Sequence, residues 1–158
     1  MTLHSATVRR LAILTLLACV LLAVPQAPAD AGTAAEIRTG IEERINRARD
    51  AGGLRPLRVH TKLQRYSQDH AARMGRLNSL FHDTTGLWSE APTDTSWVGE
   101  NVGVVPAGPG AARRMHKAYM NSKLHKANIL RPRATHMGIG VAKRNGQVWT
   151  VERFADLR

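Results

Sequence analysis

The sequence predicts an α+β sandwich, and three observations predict it. Two segments near the start, residues 33–53 and 60–80, carry apolar residues at helical spacing. Residues 96–105, "SWVGENVGVV", and the closing stretch 136–154 read as strands. One helical interruption separates those strands. Helices first and strands afterwards group as α+β, not as alternating βα units.

The elements follow in order. In "TAAEIRTGIEERINRARDAGG", Ile37, Ile41 and Ile45 form one stripe with Ala48, and Gly52-Gly53 ends the helix. Pro56 keeps Arg55 out of helical conformation, so "LRPLRV" is extended. The second helix, "HTKLQRYSQDHAARMGRLNSL", places Leu63, Tyr66, Ser67, His70, Ala71, Met74 and Leu77 on one face, with Thr61 as its N-cap. Residues 83–96 are punctuated as a loop. After the 96–105 strand, "PAGPG" breaks the chain. "AARRMHKAYMNS" is a third helix with Met115, Ala118 and Tyr119 inward, and "KLHKANIL" is a short fourth helix stopped by Pro132. In the final hairpin, Asn145-Gly146 supplies the positive φ angles of a two-residue turn.

The first residues are not domain. Arg9 and Arg10 precede the apolar run "LAILTLLACVLLAV", and "PQAPADAG" follows. This is the pattern of a secretory signal peptide over residues 1–29, cut after Ala29 or after Ala31. The run is shorter than the roughly 20 residues of a membrane span. An uncleaved anchor, or a lipid on Cys19, the single cysteine, is the alternative. Residues 30–35 are a short lead-in and residues 36–158 one domain. The exported chain then has no cysteine and is held by its core alone. It carries 21 basic against twelve acidic residues, a net +9. Such a chain is drawn to anionic envelope polymers or lipids. Its basic residues lack interleaved aromatic platforms, which argues against a specific nucleic-acid site.

Three polar residues stand out in "FHDTTGLWSEAPTDTSWVGENVGVV", residues 81–105. His82 follows Phe81, and Glu100 with Asn101 interrupts an otherwise apolar strand. A carboxylate buried there needs a partner. His70 lies on the apolar face of its helix and reads as a core histidine. His60, His116 and His136 have no motif around them. Ser67 and Ser122 lack a nucleophile-elbow context.

These motifs, read in order, carry a resemblance. "SQDHAARM" at 67–74, "FH" at 81–82, "GEN" at 99–101, "SKLHKANIL" at 122–130, "GIGVA" at 138–142 and the strand "WTVERF" are together similar to the CAP superfamily. This is the domain of cysteine-rich secretory proteins, antigen 5 and pathogenesis-related proteins, here closest to the short bacterial secreted branch. The similarity covers roughly residues 36–155. It implies an α-β-α sandwich with a central antiparallel sheet between helices, and a cleft with two His and two Glu that holds a divalent cation, often zinc, in some members. Residue by residue it assigns His82, Glu100 and His125 to that cleft, with Asn101, Ser122 and Asn128 as support. The second Glu of the pattern is Ser122 here. "KL" at 123–124 replaces the usual Pro-Gly, which predicts a less sharp break between the third and fourth helices. Glu152 stands where relatives often carry Gln, and strand alternation raises the expectation that it replaces the missing Glu.

Two imidazoles and a carboxylate suit Zn2+ or another divalent cation and leave a position for water. The same three groups without metal form a satisfied His–Glu cluster. The H-E-x-x-H pattern of metalloproteases is missing. Three functions remain: a secreted binding module for a lipid, glycan or protein ligand, a zinc-dependent peptide or ester hydrolase using the same cleft, and a purely structural role in the envelope. A monomer is expected. Fold alone does not choose between them.

Overall fold

The structure, a computed structural model, describes residues 32–158. The expected signal segment and Cys19 lie outside the described residues. Helix α1 spans Ala34–Ala51, strand β1 Arg58–Val59, helix α2 Thr61–Leu77, helix α3 Gly86–Ser89 and strand β2 Thr95–Pro106. Helices α4 (Ala111–Asn121) and α5 (Lys123–Ile129) precede strands β3 (His136–Arg144) and β4 (Gln147–Leu157). No helix among the described residues is long and apolar enough to cross a membrane.

The four strands form one sheet in the order β1-β3-β4-β2. The expected antiparallel sheet is antiparallel over β3, β4 and β2, but the short edge strand β1 runs parallel to β3, which makes the sheet mixed. Asn145 and Gly146 take φ 51° and 69° and close the β3–β4 hairpin. Helix α2 covers one face of the sheet, and α1, α4 and α5 cover the other, giving the α-β-α sandwich.

Strand alternation divides the core. Met137, Ile139 and Val141 of β3 and Val148 and Phe154 of β4 pack on Ile37, Ile41, Ile45, Met115 and Tyr119. Val102, Trp149 and Val151 face Ala71 and Met74 of α2. Each fully buried Ile or Leu contributes about 1.5–3 kcal/mol. α2 sits unusually close to β3. A Cβ on Gly138 would lie 2.2 Å from the backbone N of Gln64, and one on Gly140 would lie 2.0 Å from the Ser67 carbonyl oxygen. Those two glycines let helix backbone rest on sheet backbone. Ser67 Oγ donates to the Gly138 carbonyl at 2.9 Å, and the Gln68 amide bonds both main-chain groups of Val141.

Several local expectations change. The N-cap of α2 is His60, without a side-chain cap bond, and not Thr61. Leu77 is exposed because the buried stripe of α2 ends at Met74 and Gly75, and Ala118 is exposed because it lies off the α4 stripe of Ala111, Met115 and Tyr119. Residues 83–96 contain the one-turn helix α3 and the first residues of β2. α1 starts inside the expected lead-in: Thr33 and Glu36 form a capping box. The α4–α5 break is sharp despite "KL": Ser122 is extended at φ −93°, ψ 123° and serves as the C-cap of α4 and N-cap of α5.

Candidate functional site

The site is built on the outer strand β2. In the register with β4, Glu100 lies opposite Arg153 and Asn101 opposite Glu152. Alternation therefore sends Glu100 and Arg153 toward α2, and Asn101 and Glu152 toward α4 and α5.

Glu100 is 7 % exposed and accepts from four donors. Oε1 takes His82 Nδ1 at 3.0 Å and the Asp83 amide at 3.1 Å. Oε2 takes His70 Nδ1 and Arg153 Nε, each at 3.1 Å. Burial alone would push this carboxyl up. The His70 bond and charge, the Asp83 N–H and the Arg153 guanidinium outweigh it and hold the pKa at about 2. Because the carboxylate only accepts, both imidazoles present Nδ1–H to it, and their Nε2 atoms remain. His82 has half its side chain exposed, whereas His70 is buried with Nε2 unpartnered.

Arg153 extends the cluster. Its side chain is 1 % exposed and its terminal nitrogens reach Glu90 Oε2 and Asp83 Oδ2. One guanidinium thus joins three carboxylates and ties the 83–90 segment to the sheet. Lys62 Nζ adds a bond to the Ala91 carbonyl at 2.8 Å.

The opposite side is an amide chain. Asn128 of α5 donates to the Glu100 carbonyl at 3.3 Å and to Asn101 Oδ1 at 2.9 Å. Asn101 in turn donates to the His125 carbonyl at 3.2 Å and to Glu152 Oε2 at 2.9 Å. This chain docks α5 on the outer strand and covers part of its free edge. Ser122 Oγ accepts the His125 amide at 3.5 Å. His125 is half-buried with its ring edge-on to Tyr119 at 5.1 Å. Burial and the nearby His82 lower its pKa.

The structure thus gathers His82 and Glu100 in one hydrogen-bonded cluster, with His125 near enough to His82 to feel its charge. Asn101, Ser122 and Asn128 seat the α5 helix that carries His125. Glu152 does not supply a second cleft carboxylate. It is fully buried on the α4/α5 side, bonds Asn101, and leaves Oε1 without a partner. Burial pushes its pKa up to about 8. Sequence reasoning passed over Arg153, Asp83 and Glu90. The available signal was Glu100 itself, since a buried carboxylate demands a cation, but only the β2–β4 register shows which one.

The arrangement bears on metal chemistry. Every side of the Glu100 carboxylate is engaged, one donor being a guanidinium that repels a cation. Among the described residues no group of three or more His, Cys, Asp or Glu is arranged to hold a metal ion. His82, Glu100 and His125 do not fit a three-ligand zinc set. The atoms open to a ligand are His82 Nε2 and the His125 imidazole, with Glu100 orienting His82 from behind.

Comparison with known proteins agrees with this fold. The profile of the cysteine-rich secretory protein family, CAP, matches residues 42–152. The uncharacterized protein YkwD of Bacillus subtilis is 29 % identical over 116 residues, covering 70 % of this chain and 44 % of its own length. The chain thus spans under half of that relative. Among solved structures, an outer surface protein of Borrelia burgdorferi superposes with TM-score 0.70 at 16 % identity, over 80 % of this chain and 97 % of that one. An extracellular SCP-domain protein of Bacillus anthracis superposes with TM-score 0.64 at 20 % identity, over 77 % and 40 %. With its sandwich, its motif order and the profile match over most of the chain, this protein belongs to the CAP, or cysteine-rich secretory protein, family.

Proposed function

We propose that the protein is an exported binding module of the cell envelope, and that its His/Glu cluster is a support for the binding scaffold and not a reaction centre. The observation that carries this reading is the saturation of Glu100 by His70, His82, Asp83 and Arg153. A carboxylate held ionised by four donors is neither a free general base nor an open metal ligand. The extracellular and outer-surface relatives support export. The net charge of +9 after residue 29 supports an anionic lipid, glycan or polymer as ligand. Cosedimentation of the purified protein with envelope fragments across a salt series tests it. Binding that falls as ionic strength rises is expected. Retention that ignores salt, or no retention at all, overturns the reading.

A second reading is the metal-dependent hydrolase. One observation favours it: Glu100 holds His82 through Nδ1, the way carboxylates orient imidazoles whose Nε2 binds metal. It requires ester or peptide hydrolysis that depends on added zinc and disappears in both His82→Ala and His125→Ala.

A further inference from the structure

An open cavity among the described residues lies away from the His/Glu cluster. It is an open cleft of about 690 Å³ between the segment after α1 and the α5–β3 connection. Arg55 and Arg58 stand on one wall and Arg133 on the other, above Leu54, Pro56 and Ala134. Neither the Arg55 nor the Arg58 guanidinium has a hydrogen-bond or ion-pair partner among the described residues. Asp156 holds Arg133 through Nε at 3.2 Å, which leaves the two terminal nitrogens of Arg133 unpaired.

The walls of this cleft are built, not incidental. Arg49 of α1 is fully buried and has no carboxylate partner among the described residues. Its guanidinium donates to the Arg55 carbonyl at 2.8 Å on one wall. It also donates to the carbonyls of Ile129 at 2.8 Å, Arg131 at 3.0 Å and Ala134 at 3.2 Å on the other. One buried side chain therefore sets the separation of both walls, and Pro56 and Pro132 stiffen them.

We infer that this cleft binds a phosphate-linked polyol or sugar unit of an anionic polymer, an inference that rests on the envelope-binding reading and gives it a site. Guanidiniums with free terminal nitrogens pair with phosphate oxygens in bidentate fashion. Three arginines against one carboxylate leave the cleft cationic. Its volume falls in the range of sites that hold a small organic unit, larger than a bare ion. Leu54, Pro56 and Ala134 offer carbon surface to the polyol skeleton. The open mouth lets a polymer continue on either side. Lipid is disfavoured as the source of the phosphate: the exposed large apolar residues Val59, Leu77, Leu80, Trp88 and Leu124 all lie outside the cleft lining.

The test is fluorescence anisotropy with a labelled glycerol phosphate oligomer at low salt. It compares the unaltered protein with Arg55→Gln/Arg58→Gln/Arg133→Gln and with Lys117→Gln/Lys123→Gln/Lys126→Gln, which removes the same charge elsewhere. The double variant Arg55→Gln/Arg58→Gln keeps the test decisive should loss of the Arg133–Asp156 pair unfold the triple. Each charged bond lost weakens binding roughly tenfold, so the cleft variants lose affinity by that factor or more per arginine and the lysine variant by less than about threefold. Equal losses in the cleft and lysine variants overturn the site and leave envelope binding standing. Binding to phosphatidylglycerol vesicles but not to the oligomer overturns the polymer. No binding by the unaltered protein to oligomer, vesicles or envelope fragments overturns both readings.

Discussion

Arg153 and Glu100 face each other directly across β4 and β2, with Arg153 Nε 3.1 Å from Glu100 Oε2 and both side chains almost fully buried. The pair is worth more than its own bond, because Arg153 also meets Asp83 and Glu90, and Glu100 also meets two imidazoles. Removing one partner of a buried pair leaves an uncompensated charge. Arg153→Met is therefore expected to destabilise the fold by about 3–5 kcal/mol and to speed amide exchange across residues 83–90. Urea unfolding and hydrogen exchange check it. A loss below about 1 kcal/mol, the size of a surface pair, would remove Arg153 from this role.

Glu100 and Glu152 titrate in opposite directions. Glu100 is held at about 2, below its ordinary 4.5, so its stabilisation is complete above pH 4.5 and is lost as pH falls toward 2. Glu152 is raised to about 8, so the folded form keeps a proton that the unfolded chain releases above 4.5. Stability therefore declines as pH rises from 4.5 to 8, by on the order of 5 kcal/mol at 1.36 kcal/mol per unit. Glu152→Gln is expected to keep the Asn101 bond and abolish this alkaline decline while leaving the acid limb. Unfolding free energies at pH 5 and pH 8 decide it; an unchanged pH 8 value overturns the assignment.

The contact of α2 with β3 has no room for a side chain at Gly138 or Gly140. Gly140→Ala is expected to cost more than the roughly 1–3 kcal/mol of ordinary overpacking, since its Cβ meets helix backbone and not a movable side chain. Because α2 carries His70, the same substitution should detach His70 from Glu100, seen as changed ring-proton chemical shifts of His70 by NMR. A native thermal midpoint would show that α2 shifts without cost.

For zinc, the saturated Glu100 predicts binding weaker than a Kd of about 10 μM in calorimetry. Binding tighter than that, lost in His82→Ala/His125→Ala, would reinstate the cleft as a metal site and favour the hydrolase.

Much of this was legible in the sequence. The stripe of Ile37, Ile41 and Ile45, the Asn145-Gly146 turn and the strand around Glu100 all rest on local rules: period 3.6, period 2 and the positive φ of a tight turn. The ordered motifs also named His82, Glu100 and His125. What Glu100 meets is a different kind of fact. Its partners come from positions 70, 82, 83 and 153, and only the β2–β4 register and the close seat of α2 bring them together. Glu152 shows the limit most clearly, because alternation along β4 makes it a neighbour of Arg153 in sequence yet sends it to the opposite face. Arg49 is a further case, because only the return of the chain at Ile129–Ala134 surrounds it with carbonyls. By itself the sequence determined the elements, the family and the polar residues that need partners. The tertiary structure decided which partners they have, since hydrogen bonds between residues far apart in the chain depend on register and packing, which no local pattern encodes.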